Sequence, residues 1–170
     1  MLTLMLALLA PTQPVPDPLA FAREGKVQCV SPDREKKTCL AIAAYKPGAG
    51  NSFESTVTVL VNLAPLITMA THTTGTIETG GMCNTIRAED YAASVFTMNG
   101  APMDESMAAS IRPQVTAAIA PMVGKKGCSR EHAEGDMLVS EVTLDGVAHP
   151  EMTQKLIWVS PSDGYTLGTR

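Results

Sequence analysis

The 170-residue chain carries a formal net charge of −4, from 13 basic and 17 acidic side chains, and has no basic stripe suited to nucleic acid or anionic lipid. Aromatic residues are 4% of the chain with one tryptophan, Trp158, which leaves few faces for stacking sugars or bases. A hydrophobic content of 45% suits one ordinary globular domain.

Leu2 to Ala10 is an apolar run broken only by Thr3, and Ala20-Phe21-Ala22 offers the small-x-small pattern that signal peptidase accepts. The pair predicts a signal peptide over 1–22, cleaved after Ala22, and a single domain over 23–170. No Lys or Arg precedes the run, and Pro11, Pro14, Pro16 and Pro18 separate it from the cut; a start codon placed too far downstream would account for the missing basic residues. The run is shorter than the ~18 residues of a membrane span, and no later segment is longer, so no integral membrane segment is expected in the mature chain.

All four cysteines, Cys29, Cys39, Cys83 and Cys128, follow the expected cut, and an even count in an exported chain favours two disulfides. Of the three connectivities, Cys29 with Cys39 and Cys83 with Cys128 is favoured. Loop closure would then contribute roughly 3 kcal/mol for the first bond and roughly 4 kcal/mol for the second. The chain has no C-x-x-C, which argues against a thiolate zinc site and a thioredoxin-type redox site.

In chain order, Lys26–Ser31 and Thr38–Tyr45 read as strands joined by a charged Pro-Asp turn, with Val30 expected opposite Thr38. A turn over Lys46–Asn51 leads to Phe53–Asn62, where Phe53, Ser55, Val57, Val59 and Val61 alternate with Glu54, Thr56, Thr58, Leu60 and Asn62. That alternation predicts an antiparallel strand with one face on a core. Leu66–Thr71 and Thr76–Thr79 are further strands, Arg87–Ser94 a short helix, and Val95–Met98 a strand before the hairpin turn Asn99-Gly100. Asp104 to Val123 is the main helix, with Asp104 as N-cap, Met107, Ile111, Val115, Ile119 and Met122 as its apolar stripe, and Gly124 as its stop. Pro113 predicts a kink, or a break with a second helix beginning there. Met137–Leu144 and Leu156–Ser160 close the strand pattern.

The run CVSPDREKKTC, the alternating strand after it and the later cysteine before TIRAED together resemble small exported bacterial proteins of uncharacterised function. The resemblance implies export and a cysteine framework, and transfers no activity.

Catalytic motifs are sparse. The chain has no G-x-S-x-G, P-loop, dinucleotide fingerprint, EF-hand loop or H-E-x-x-H. His132-Ala133-Glu134 matches half of a zinc deaminase signature and lacks the P-C-x-x-C half. No metal site is expected: His132, His149 and Glu134 are the nearest candidates, with His72, Glu131 and Asp136 as further donors, but without a His-x-His or an i, i+4 histidine pair the histidines read as surface residues. Cys128 with His132 would suit a thiol nucleophile only if Cys128 were reduced. Carboxylates cluster at Glu89 with Asp90, at Asp104 with Glu105, and at Glu131, Glu134 and Asp136.

The expected fold is α+β: an antiparallel sheet of hairpins packed against one long, Pro-kinked helix. The expected function is a secreted or periplasmic, non-catalytic envelope module without a cofactor, binding an envelope protein or a small ligand and stapled by two disulfides. The alternative is a small periplasmic hydrolase or metal-dependent enzyme built on a carboxylate or histidine cluster.

Overall fold

The computed structural model describes residues 17–169. The apolar run Leu2–Ala10 lies outside the described residues. A short helix α1 (Ala20–Arg23) precedes strands β1 (Val27–Val30), β2 (Thr38–Cys39), β3 (Ala41–Pro47), β4 (Ser52–Leu63), β5 (Leu66–Glu78) and β6 (Gly81–Thr85). Helix α2 (Ala88–Ala92), strands β7 (Val95–Met98) and β8 (Ala101–Pro102) and helix α3 (Glu105–Ile119) follow. Strands β9 (Lys126–Glu134), β10 (Met137–Leu144), β11 (Val147–Ala148), β12 (Gln154–Val159) and β13 (Thr166–Leu167) complete the chain.

The expected α+β arrangement is not what forms. The molecule is mostly β, built on an 11-stranded antiparallel sheet whose neighbours run β3-β1-β12-β10-β9-β6-β5, with β4 paired to both β3 and β5. Eight strands therefore close into a ring, β3-β4-β5-β6-β9-β10-β12-β1, and full closure removes the sheet edges that an open stack of hairpins would expose. Strands β1, β6 and β12 hold 4, 5 and 6 residues, short of the roughly 9–11 that a membrane-crossing strand needs.

Closure explains the alternation in β4. Opposite neighbours share a face, and the ladder sets Ser55 against Tyr45 and Thr73, Val57 against Ala43 and Thr71, and Val59 against Ala41 and Met69. These residues line the lumen, while Glu54, Thr56 and His72 face out. Gly75 sits opposite Phe53, and a Cβ there would meet Phe53 Cζ and the Cys83 carbonyl oxygen at 2.4 Å. Only glycine lets the Phe53 ring lie across β5.

Two features of the first hairpin differ from the sequence expectation. Val30 pairs with Ala41, and Thr38 instead pairs with Thr166 in a separate two-stranded ladder. The chain breaks at Leu40 because Cys39 turns under the tail, where Cys29, Cys39 and Val159 form a small outer core with Tyr165. The Cys29–Cys39 disulfide ties that strap to the barrel wall.

The 86–125 insertion leaves the ring after β6 and rejoins it at β9. Its base is closed by the bond from Ile86 N to Lys125 O (3.0 Å), by the Thr85–Lys126 pairing, and by the Cys83–Cys128 disulfide between directly opposed residues. Helix α3 starts at Asp104, whose Oδ1 accepts from Met107 N (2.9 Å), and runs unbroken through Pro113 to Ile119. Gly124, at φ +84°, then turns the chain back. The helix does not lie across a sheet face. It packs Ala108, Ile111 and Val115 on Met69, Phe96 and Val59 at one end of the barrel, and Met107 from the expected stripe is exposed.

Candidate functional site

The lumen holds a cavity of about 270 Å³ lined by inward residues of β3, β4, β5, β6 and β9 together with Tyr91 of α2. Its apolar lining is Phe53, Val57, Val59, Met69 and Met82, interleaved with the polar groups of Ser55, Thr71, Thr73, Asn84, Ser129 and the Tyr45 hydroxyl. No side chain in this lining carries a formal charge at neutral pH. Three of the lining hydroxyls are paired, Ser55 with Thr73 (2.8 Å) and Thr71 with Ser94 (2.8 Å), and each of these hydroxyl oxygens retains capacity for another hydrogen bond.

A chain of polar groups crosses the lumen beside this cavity. The Tyr45 hydroxyl donates to Gln28 Oε1 (3.1 Å), and Gln28 Nε2 donates to Glu131 Oε1. Gln28 is on β1 and Glu131 on β9, with β12 and β10 between them in the ring, so this contact spans the interior. Burial pushes the Glu131 carboxyl above its ordinary value, opposed by hydrogen bonds from Gln28 and Trp158. Burial also raises the Tyr45 hydroxyl, and the neighbouring Glu131 charge adds to the effect. Both groups are held in their neutral forms more firmly than in water.

The residues singled out as metal ligands are not gathered. His132 faces outward on β9, opposite Val139. His149 lies beyond β11, with its Nδ1 2.7 Å from Glu151 Oε1. Glu134 accepts from Lys155 Nζ (2.9 Å), and His72 faces out beside Thr56 (3.4 Å). Among the described residues, no three of His, Cys, Asp or Glu stand together in a way that could hold a metal ion.

The carboxylate clusters also divide. Glu131 turns inward, while Glu134 and Asp136 are exposed and bonded to Lys155 and Arg34. Asp90 accepts from Arg87 Nη2 (2.8 Å), Asp104 caps α3, and Glu105 meets Arg112 Nη2 at 3.1 Å. Cys128 is bonded to Cys83 and offers no thiol to His132.

A larger, more open recess of about 670 Å³ lies among Phe21, Trp158, Tyr165, Lys26, Arg34 and Lys37, and reaches the inward-facing Ala133 and Leu138. Its cations are already engaged: Arg34 with Asp136, Lys37 Nζ with the Asp163 carbonyl (2.9 Å), and Lys26 Nζ 4.8 Å from the Phe21 ring centre. The lumen is the better-formed site.

Sequence reasoning missed the cavity because it missed β9. Lys126–Glu134 turns Gly127, Ser129, Glu131 and Ala133 inward, a set with almost no apolar signal. The available clue was the Glu134-Gly135-Asp136 turn before a clear strand, which calls for a partner strand upstream. Compared with protein-family models, curated proteins and solved structures, the chain matches none.

Proposed function

We propose that this protein is a small-molecule binding barrel that works in an oxidising compartment outside the cytoplasm. The observation that carries the reading is the cavity of about 270 Å³ inside a closed barrel, whose lining interleaves the apolar Val57, Val59, Met69 and Met82 with the polar Ser55, Thr71, Thr73 and Asn84. A dry cavity of roughly 150 Å³ is enough to hold benzene, so this one suits a molecule of bicyclic size. Its lining favours a neutral ligand, mostly apolar and carrying a hydroxyl or carbonyl that the interspersed hydroxyls and Asn84 can meet. The two disulfides support a role outside the cytoplasm, where disulfides persist. The Glu131, Gln28 and Tyr45 groups bond to one another, which suits fixing the wall more than transferring protons to a substrate.

The probe is 2-naphthol, followed by its fluorescence on titration. The wild-type protein is expected to bind it with saturation, and Val57→Phe, which fills the lumen, to weaken binding roughly tenfold or more. Thr56→Val, on the outer face of the same strand, is expected to leave binding unchanged. Equal binding by Val57→Phe and wild type would place the site elsewhere and contradict the proposal.

A further inference from the structure

We propose that Asp17–Arg23 is a retained stopper: it remains in the mature protein, closes one end of the barrel over the cavity, and any processing of the N-terminus occurs before Asp17. Leu19 is 0% exposed and forms one buried cluster with Ala22, Phe53 and Met82, the last two of which line the cavity, and Tyr45, Ile77 and Trp158 pack against that cluster. A side chain with no accessible surface that shares a buried cluster with inward-facing residues belongs to the core of the folded domain.

The segment is shaped for this position. Asp17 accepts from Leu19 N at Oδ1 (3.0 Å) and from Arg23 Nε at Oδ2 (3.1 Å), folding the peptide over itself. Lys26 N donates to Phe21 O (3.1 Å), fixing the turn into β1, and the Phe21 ring lies 5.8 Å from that of Trp158. Ala20-Phe21-Ala22 thus has a packing role: Ala20 is exposed, Phe21 covers Trp158, and the small side chain of Ala22 lets the helix seat against the core. A cut after Ala22 would remove Leu19 and Phe21 and open Phe53, Met82 and Trp158 to water.

Closure of the cavity rests on the ligand-binding reading above; retention of the segment does not. The test uses the full chain, produced with export under oxidising conditions. Its intact mass is expected to show a first residue at or before Asp17, and a folded product beginning after Asp17 would overturn retention. In the same chain, Leu19→Ala is expected to lower the melting temperature by on the order of 10 °C, with Leu19→Met restoring most of the loss. A Leu19→Ala protein that melts with wild type would overturn the stopper. A Leu19→Ala protein that fails to fold beside a folded Leu19→Met counts with the proposal.

The closure itself is read by stopped-flow uptake of 2-naphthol, expected to be roughly tenfold faster in Leu19→Ala. Equal uptake rates, with both proteins binding the probe, would overturn the closure. Absence of binding in both would sink the ligand reading, leaving mass and melting to decide on the stopper.

Discussion

Glu131 shows how one residue sets a measurable property of the barrel. Its carboxyl turns into the lumen, where burial disfavours the charge and the neutral donors Gln28 and Trp158 offset only part of that cost. The native state therefore binds a proton more tightly than the unfolded chain, whose ordinary value is 4.5. By linkage, the contribution of this group is full below that value, is lost as pH rises through the higher native value, and is flat beyond it. Glu78, Asp104 and Asp33 have lowered values, held down by Lys126, by Ser106 and Met107, and by Lys36, and they produce the opposite slope at more acid pH. The difference between wild type and Glu131→Gln isolates the buried carboxyl. Urea midpoints measured from pH 4.5 upward are expected to rise for Glu131→Gln relative to wild type, then level off. A difference independent of pH would contradict the buried, proton-binding carboxyl.

At the scale of elements, the ring depends on the junction of β6 with β9, where the 86–125 insertion leaves and returns. That seam is a short ladder, Met82–Thr85 against Ser129–Lys126, and Cys83–Cys128 crosses it. The bond closes a longer stretch than Cys29–Cys39, with sequence separations of 45 and 10. Replacing both Cys83 and Cys128 by Ala is expected to cost about 4 kcal/mol in denaturant unfolding, against about 3 kcal/mol for the Cys29 and Cys39 pair. A larger loss for the Cys29 and Cys39 pair would contradict the weight placed on the seam.

What the sequence made legible follows from where the apolar signal lies. The β4 alternation is plain because its inward positions include Phe53, Val57 and Val59, and α3 is plain because Asp104 marks its cap and Ile111 and Val115 its stripe, although it ends at Ile119, four residues before the expected Val123. β5 reads as two fragments because its inward positions are partly threonine and glycine, though Thr71 and Thr73 are hydroxyls of the cavity wall. The 13-residue β5 pairs with β7 over Ile67–Ala70 and with β6 over Thr76–Glu78. Such a branched partnership has no signature in local periodicity.

For the whole molecule, closure decides between a stack of hairpins and a container. Once β9 joins β6 to β10, inward residues scattered from Gln28 to Trp158 face a common interior, with α1 at one end and α3 at the other. The hydroxyl-rich alternation of β4 and β5 then forms a wall suited to a partly polar guest. The histidines and most of the carboxylates that attracted attention in the sequence are spread over the outer surface, because strand alternation puts His72, His132 and Glu134 on the solvent side. Individual alternations were visible in the chain; their convergence was not, since it depends on pairings between strands far apart in sequence.

The most direct measurement is a methyl-resolved NMR titration of the oxidised, full-length protein with 2-naphthol. The expected result is a set of saturable shifts concentrated on the methyl groups of Val57, Val59, Met69, Met82 and Thr71, with contacts from the probe protons to the same groups. Shifts confined to Met137, Ile157 and Val159 around the larger recess, or no saturable shifts at all, would contradict the binding barrel.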